Sequence, residues 1–200
     1  MVALVPEDNR PRLGKPRRVG GDGEPEVFIA DEQADIAVEI ERWNELATDV
    51  LVTEGVRGHA ELSVLFIGEE AMTELNERFM GKSGPTDVLA FPIDTADMEV
   101  SPLPPVSTGP DRAPIDPGDL PLLLGDVVVC PAVAAAQAPE HAGNLDDELA
   151  LLIVHGILHV LGHDHAEPAE TERMRARELA LLEAHHWRGP APAGFRQDQP

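Results

Sequence analysis

The longest apolar run in this 200-residue chain is Leu149–Leu161, and His155 and His159 are its only polar side chains. An apolar stretch of this length predicts a buried helix, Asp146–Leu161, with Asp146 and Asp147 in the first turn, where the helix dipole favours acids. Upstream, Val27–Ile29 predicts a short strand. Ile36, Ile40, Trp43, Leu46, Ala47 and Val50 recur at helical spacing, which predicts an amphipathic helix from Asp31 to about Gly55. Glu61–Ile67 predicts a strand. Glu69–Met80 predicts a helix with Met72, Leu75, Phe79 and Met80 inward. Val88–Phe91 and the β-branched run before Pro131, Leu124–Val129, predict two further strands. A short helix over 132–138 and a last helix from Glu167 to about His186 complete the set. Met174, Leu179 and Leu182 are the residues that pack the last helix on the core. The pattern predicts an α+β fold, a small mixed four-stranded sheet packed with helices.

Periodicity is missing at both ends and in one internal stretch. Residues 1–26 are rich in proline, glycine and charge and are expected to be a disordered tail. Residues 94–121 carry prolines throughout, which excludes helix and central strand and predicts a flexible insertion between two strands. Residues 188–200 are expected to be a second disordered tail. A single domain, 27–187, remains.

Charge sharpens the picture. The formal net charge is −22, the opposite of a general nucleic-acid binder, so any phosphate affinity must be local. Lysine occurs only at Lys15 and Lys82. The basic cluster Arg10, Arg12, Lys15, Arg17 and Arg18 is offset by neighbouring acids and reads as a solvated tail. One cysteine, Cys130, cannot form an internal disulfide and, at the end of an apolar run, is expected to be a small buried hydrophobe. Leu149–Leu161 is too short to span a bilayer. The expectation is a cytoplasmic protein with no membrane partner.

The candidate chemistry sits in the apolar helix. Residues i and i+4 share a helix face with Cβ atoms roughly 6 Å apart, so His155 and His159 can hold one ion. Gly162 supplies the left-handed residue that ends the helix, and the turn lets His165 swing back to the same point. Three neutral imidazoles, with Zn–N distances of about 2.0–2.1 Å, and a water make an open catalytic site for one Zn2+ ion. His163 and Asp164 stand behind these ligands, Asp164 suited to orienting an imidazole. Glu148, two turns before His155, is a further candidate for that supporting role. Such a zinc lowers the pKa of its water to about 7 and polarises a phosphoryl oxygen.

The spacing H-x3-H-x5-H matches the zinc helix of the long metalloproteases with one change: Gly156 stands where their general-base glutamate would be. That argues against proteolysis and leaves the metal site intact. His155-Gly156-Ile157-Leu158-His159-Val160-Leu161-Gly162-His163-Asp164-His165 closely resembles the signature of the YbeY family, metal-dependent endoribonucleases of ribosomal RNA maturation. Leu75–Pro92, with Pro85-Thr86-Asp87-Val88-Leu89-Ala90-Phe91-Pro92, and Leu124-Gly125-Asp126-Val127-Val128-Val129-Cys130 are similar to two further family stretches. The resemblance covers roughly 60–187 apart from the proline-rich insertion. It implies a zinc-dependent, single-strand-specific endoribonuclease acting at the 3′ end of small-subunit ribosomal RNA and in ribosome quality control. Ribosomal RNA is then the substrate, and the ribosome or small-subunit assembly factors are the partners. His155, His159 and His165 are then both metal ligands and catalytic residues.

The family usually has an arginine where this chain has Met80. Lys82, in the following turn, is the best local substitute for contacting RNA, with Arg78 and Arg57 as further candidates. Thr86 and Asp87 read first as a turn in which Asp87 bonds its own backbone. Asp126 is a cap or turn residue, or faces the cleft. His185 and His186 cap the last helix or are exposed. Two other readings stay open: a metalloprotease-like zinc hydrolase, and a non-catalytic ribosome-assembly factor with a structural zinc.

Overall fold

The computed structural model describes residues 23–93, 121–163 and 167–197. In chain order the elements are β1 (Glu26–Asp31), α1 (Ile40–Thr53), β2 (Ala60–Phe66), α2 (Glu69–Met80), β3 (Val88–Pro92), β4 (Leu122–Val129), α3 (Pro131–Gln137), α4 (Leu145–Val160) and α5 (Pro168–Leu181). A π-helical turn, Leu182–His186, continues α5. The strands form one mixed sheet in the order β1-β2-β4-β3. β1, β2 and β4 run parallel, and β3 lies antiparallel on the edge beside β4.

Alternation along the strands sorts the two faces of the sheet. Leu62, Val64 and Phe66, Val88 and Ala90, and Val127 and Val129 point into a large cluster with α1, α4 and α5. Leu89, Val128 and Cys130 point the other way onto Met72 of α2. Cys130 is a free, buried thiol, and burial pushes its pKa up, as expected of a hydrophobe in the core.

α4 is buried on all sides, from Asp147 to Val160. Each fully buried Leu or Ile in it contributes about 1.5–3 kcal/mol, so the helix that carries the histidines is firmly held. Its N-terminus is closed by Asn144, whose side chain accepts from the Asp147 N–H at 2.9 Å, an interaction worth about 1 kcal/mol.

Several expectations change. The first helix does not begin at Asp31: β1 runs through that residue and α1 starts at Ile40. The Gln33 side chain accepts from the N–H groups of Asp35 and Ile36 and donates to Asp31 Oδ1 and the Ile36 carbonyl. These bonds give the backbone an alternative to the helix. Phe79 is not inward; it is 38% exposed, with its ring edge-on to Phe91 at 5.0 Å. Asp126 is neither cap nor turn. It sits inside β4, opposite Ser63 and Phe91, on the face turned away from α4.

The two tails also differ from expectation. Glu26 already belongs to β1, paired with Glu61. Residues 188–197 are not a frayed end. The Phe195 ring meets Trp187 edge-on at 4.7 Å, and the Arg196 N–H donates to the His141 carbonyl. The insertion expected over 94–121 lies outside the described residues except for Pro121. Among the described residues no helix is long and apolar enough to cross a membrane.

Candidate metal centre

α4 brings His155 and His159 together. Both are buried, and their Nε2 atoms face each other at 2.9 Å. Each ring is held from behind. His155 Nδ1 donates to Glu178 Oε1 of α5 at 2.5 Å, and His159 Nδ1 donates to the His163 carbonyl at 3.0 Å. A carboxylate and a carbonyl only accept, so both Nδ1 atoms carry the hydrogen and both Nε2 atoms of the neutral rings present lone pairs. Two lone pairs so close require a proton or a cation between them. Two imidazole nitrogens on one tetrahedral zinc lie about 3.3 Å apart, a few tenths of an ångström wider than this pair. The donor set, its buried setting and its supporting hydrogen bonds therefore fit a metal ion.

The described part of the site contains two candidate ligands. Among the described residues no group of three His, Cys, Asp or Glu side chains converges to hold an ion. His165 and Asp164, the expected third ligand and its neighbour, lie outside the described residues. Gly162 does take the left-handed conformation expected of it, with φ 90°.

His163 serves the site through its backbone carbonyl. Its side chain points elsewhere, with Nε2 3.7 Å from Glu54 Oε2 at the end of α1. Glu54 also takes a hydrogen bond from Arg177 Nε of α5 at 2.5 Å. Burial pushes the Glu54 carboxyl up, but the hydrogen bonds from His163 and Arg177 outweigh it, so the group titrates below the usual carboxylate range. A carboxylate with a depressed folded pKa stabilises the fold above its unfolded pKa, and that contribution is lost as pH falls through the folded value. The stability difference between wild type and Glu54→Gln should therefore shrink as pH falls below about 5. Urea titrations across that range read this directly; a difference that grows on acidification would refute it.

Glu178 is the residue that sequence reasoning missed. It is 3% exposed, and nothing in its spacing ties it to position 155. The only signal was an acid on the inward side of an amphipathic helix. Glu148, the further candidate for that role, is buried but accepts from His141 Nδ1 and the Ala142 N–H, so it braces the turn before α4 rather than the histidines. His186 is not an exposed cap; its Nε2 donates to Asp147 Oδ1 at 2.7 Å. His185 sits beside Thr53 and Asp49.

The candidate RNA contacts are scattered. Arg57 donates to the Val52 and Val56 carbonyls and so closes the end of α1. The Arg78 guanidinium lies 5.1 Å over the Phe79 ring. Phe79 meets Phe91, which packs with the cluster on the sheet face opposite α4. Lys82 is exposed in the turn after α2. Met80 packs against that second cluster and is half-buried. Asp87 behaves as the turn reading expects: it is buried and accepts from the Val88 N–H and the Thr86 hydroxyl.

The sequence profile of the family described as endoribonuclease YbeY matches residues 28–186. This chain belongs to the YbeY family. An endoribonuclease YbeY from Salinispora tropica is 48% identical over 143 residues, covering 72% of this chain and 84% of that protein. One from Acidothermus cellulolyticus is 47% identical over 163 residues, covering 81% and 91%. A Thermotoga maritima protein known from its solution structure is 23% identical, covers 81% of this chain and 91% of its own, and superposes with a TM-score of 0.47. The YbeY match spans all of α1 to α5, so the histidine helix and Glu178 both lie inside it.

Proposed function

We propose that this protein is a cytoplasmic, zinc-dependent endoribonuclease that cuts single-stranded RNA in ribosomal RNA maturation. It acts at the small-subunit 3′ end, with a further part in ribosome quality control. The ribosome or small-subunit assembly factors are its partners. The observation that carries the reading is the pair of facing His155 and His159 Nε2 atoms, each held through Nδ1, in a chain of the YbeY family. His165 is the third ligand of one Zn2+ ion. Bound there, zinc supplies Lewis acidity toward a phosphoryl oxygen, where charge builds during phosphodiester cleavage.

The chain's own residues set up that chemistry. Glu178 keeps the hydrogen of His155 on Nδ1 and so leaves Nε2 as the ligand atom, and the His163 carbonyl does the same for His159. RNA brings its own nucleophile, the 2′-OH. Lys82 and Arg78 are the cations assigned to the RNA backbone, with Arg57 a weaker contributor because its guanidinium closes α1. With a net charge of −22 the protein offers little general attraction to RNA, so recognition rests on local contacts and on the ion. Proteolysis is disfavoured by position 156. A Cβ there would lie 2.5 Å from Val127 Cγ1, so any side chain at 156 would have to displace the buried Val127.

Zinc-loaded protein should cut a ribosomal RNA fragment within its single-stranded regions. Cutting should stop on chelation and return with added zinc. Stoichiometric zinc without cleavage, on free RNA and on small subunits alike, would instead favour an assembly factor with a structural ion.

A further inference from the structure

The YbeY match ends at residue 186, yet the chain beyond it turns back onto the metal centre. We propose that residues 187–197 form a strap whose last contact, Gln197, positions the His155 ring through Glu178. This inference rests on the reading of the histidines as metal ligands.

The strap is tied down along its length. Trp187 Nε1 donates to Asp147 Oδ1 at 2.7 Å, at the start of α4. The Gly189 N–H donates to the Glu183 carbonyl and the Ala191 N–H to Glu183 Oε1. Phe195 packs on Trp187, and the Arg196 N–H donates to the His141 carbonyl at 3.1 Å. These contacts deliver Gln197 to α5. Its Nε2 donates to the Arg175 carbonyl at 2.8 Å and to Glu178 Oε2 at 3.0 Å.

Glu178 thus has one oxygen on His155 Nδ1 and the other on Gln197. A buried carboxylate held at one oxygen can pivot about its χ3 torsion, which is broad. A second hydrogen bond at the other oxygen fixes the plane of the group and, through it, the direction of the His155 ring. The Gln197 amide is fixed in turn, because its two hydrogens serve two acceptors in different directions. The arrangement runs Gln197–Glu178–His155 and ends at Nε2, the atom offered to the ion. Gln197 touches no ligand atom, so it is a positioning residue.

The test uses the full-length protein with zinc and cobalt as probes. Gln197→Leu keeps most of the volume and removes the donor. It should weaken zinc binding about tenfold, the low end for outer partners of metal-bound histidines. The visible spectrum of the cobalt-loaded protein should shift, since it reports ligand direction. The melting temperature of the chelator-treated protein should fall by only about a few degrees, the cost of the two lost hydrogen bonds, because Trp187 and Phe195 still anchor the strap. Wild-type affinity and spectrum in Gln197→Leu would overturn the proposal. So would equal losses of metal-free stability and affinity, which would make the strap plain packing. If wild type itself binds no zinc, the metal reading fails first, and the two failures are told apart.

Discussion

His159→Ala protein is expected to bind no zinc and to cut RNA at least ~10³-fold more slowly than wild type, with its helices intact. Losing a single donor to a charged transition state already costs on the order of 10²–10³ in rate. Here the whole charge-stabilising ion is lost, because a site that depends on convergent imidazoles does not survive the loss of one of the facing pair. The fold should tolerate the change. Alanine is the best helix former, and α4 is held by its apolar neighbours rather than by its histidines. The structural loss is the bond from His159 Nδ1 to the His163 carbonyl, about 1 kcal/mol of stability. Metal analysis, circular dichroism and RNA cleavage on the same sample separate these effects. A His159→Ala protein that keeps one zinc and its activity would dismantle the proposed centre.

Gly156→Glu, which writes the metalloprotease motif into this helix, should give a protein that fails to fold rather than a protease. In an exposed helix, replacing glycine by alanine gains roughly 0.5–1 kcal/mol. At 156 the sign reverses. A Cβ would stand 2.5 Å from Val127 Cγ1 and 3.2 Å from Cγ2, both in the packed layer between α4 and β4. Overpacking of this kind costs about 1–3 kcal/mol, so Gly156→Ala should be measurably destabilised. Glutamate adds a carboxylate with no hydrogen-bond donor awaiting it in an apolar layer, a further cost of several kcal/mol. Together these approach the whole stability of a domain this size, about 5–15 kcal/mol. Denaturant titration of Gly156→Ala and solubility of Gly156→Glu are the measurements. A folded Gly156→Glu protein that hydrolyses peptides would refute both the packing argument and the assignment away from proteolysis.

Gly156 shows how the same residue reads differently at two levels. In the sequence it is a missing glutamate, evidence about chemistry. In the structure it is a contact, the place where α4 comes close enough to β4 to leave no Cβ. The first reading follows from motif spacing. The second needs to know which strand lies under that face of the helix, and Val127 is 29 positions away in sequence.

Local pattern carried much of the fold. α2, β3 and α4 fall within a residue of their predicted bounds because each is written in apolar periodicity and bounded by glycine, proline or acids. It failed where side chains overrode periodicity. Ile36 is at helical spacing from Ile40, but Gln33 closes a turn over it. Residues 188–197 depart from their local pattern for a related reason. Proline and glycine at 189–194 look like a loose tail, and only the docking of Trp187, Phe195 and Gln197 gives the segment a place.

By itself, the sequence determined the helix that carries His155 and His159, their common face and the left-handed turn at Gly162, since helical period and glycine conformation are local properties. The tertiary structure decided what stands behind the rings. Glu178 lies 23 residues beyond His155 and Gln197 another 19, and the Glu54–Arg177 pair joins helices 123 residues apart. A hydrogen bond is set by distance and direction in space. A linear pattern records neither once the partners sit on different elements, so the support of the site became visible only when α1, α5 and the strap packed around α4.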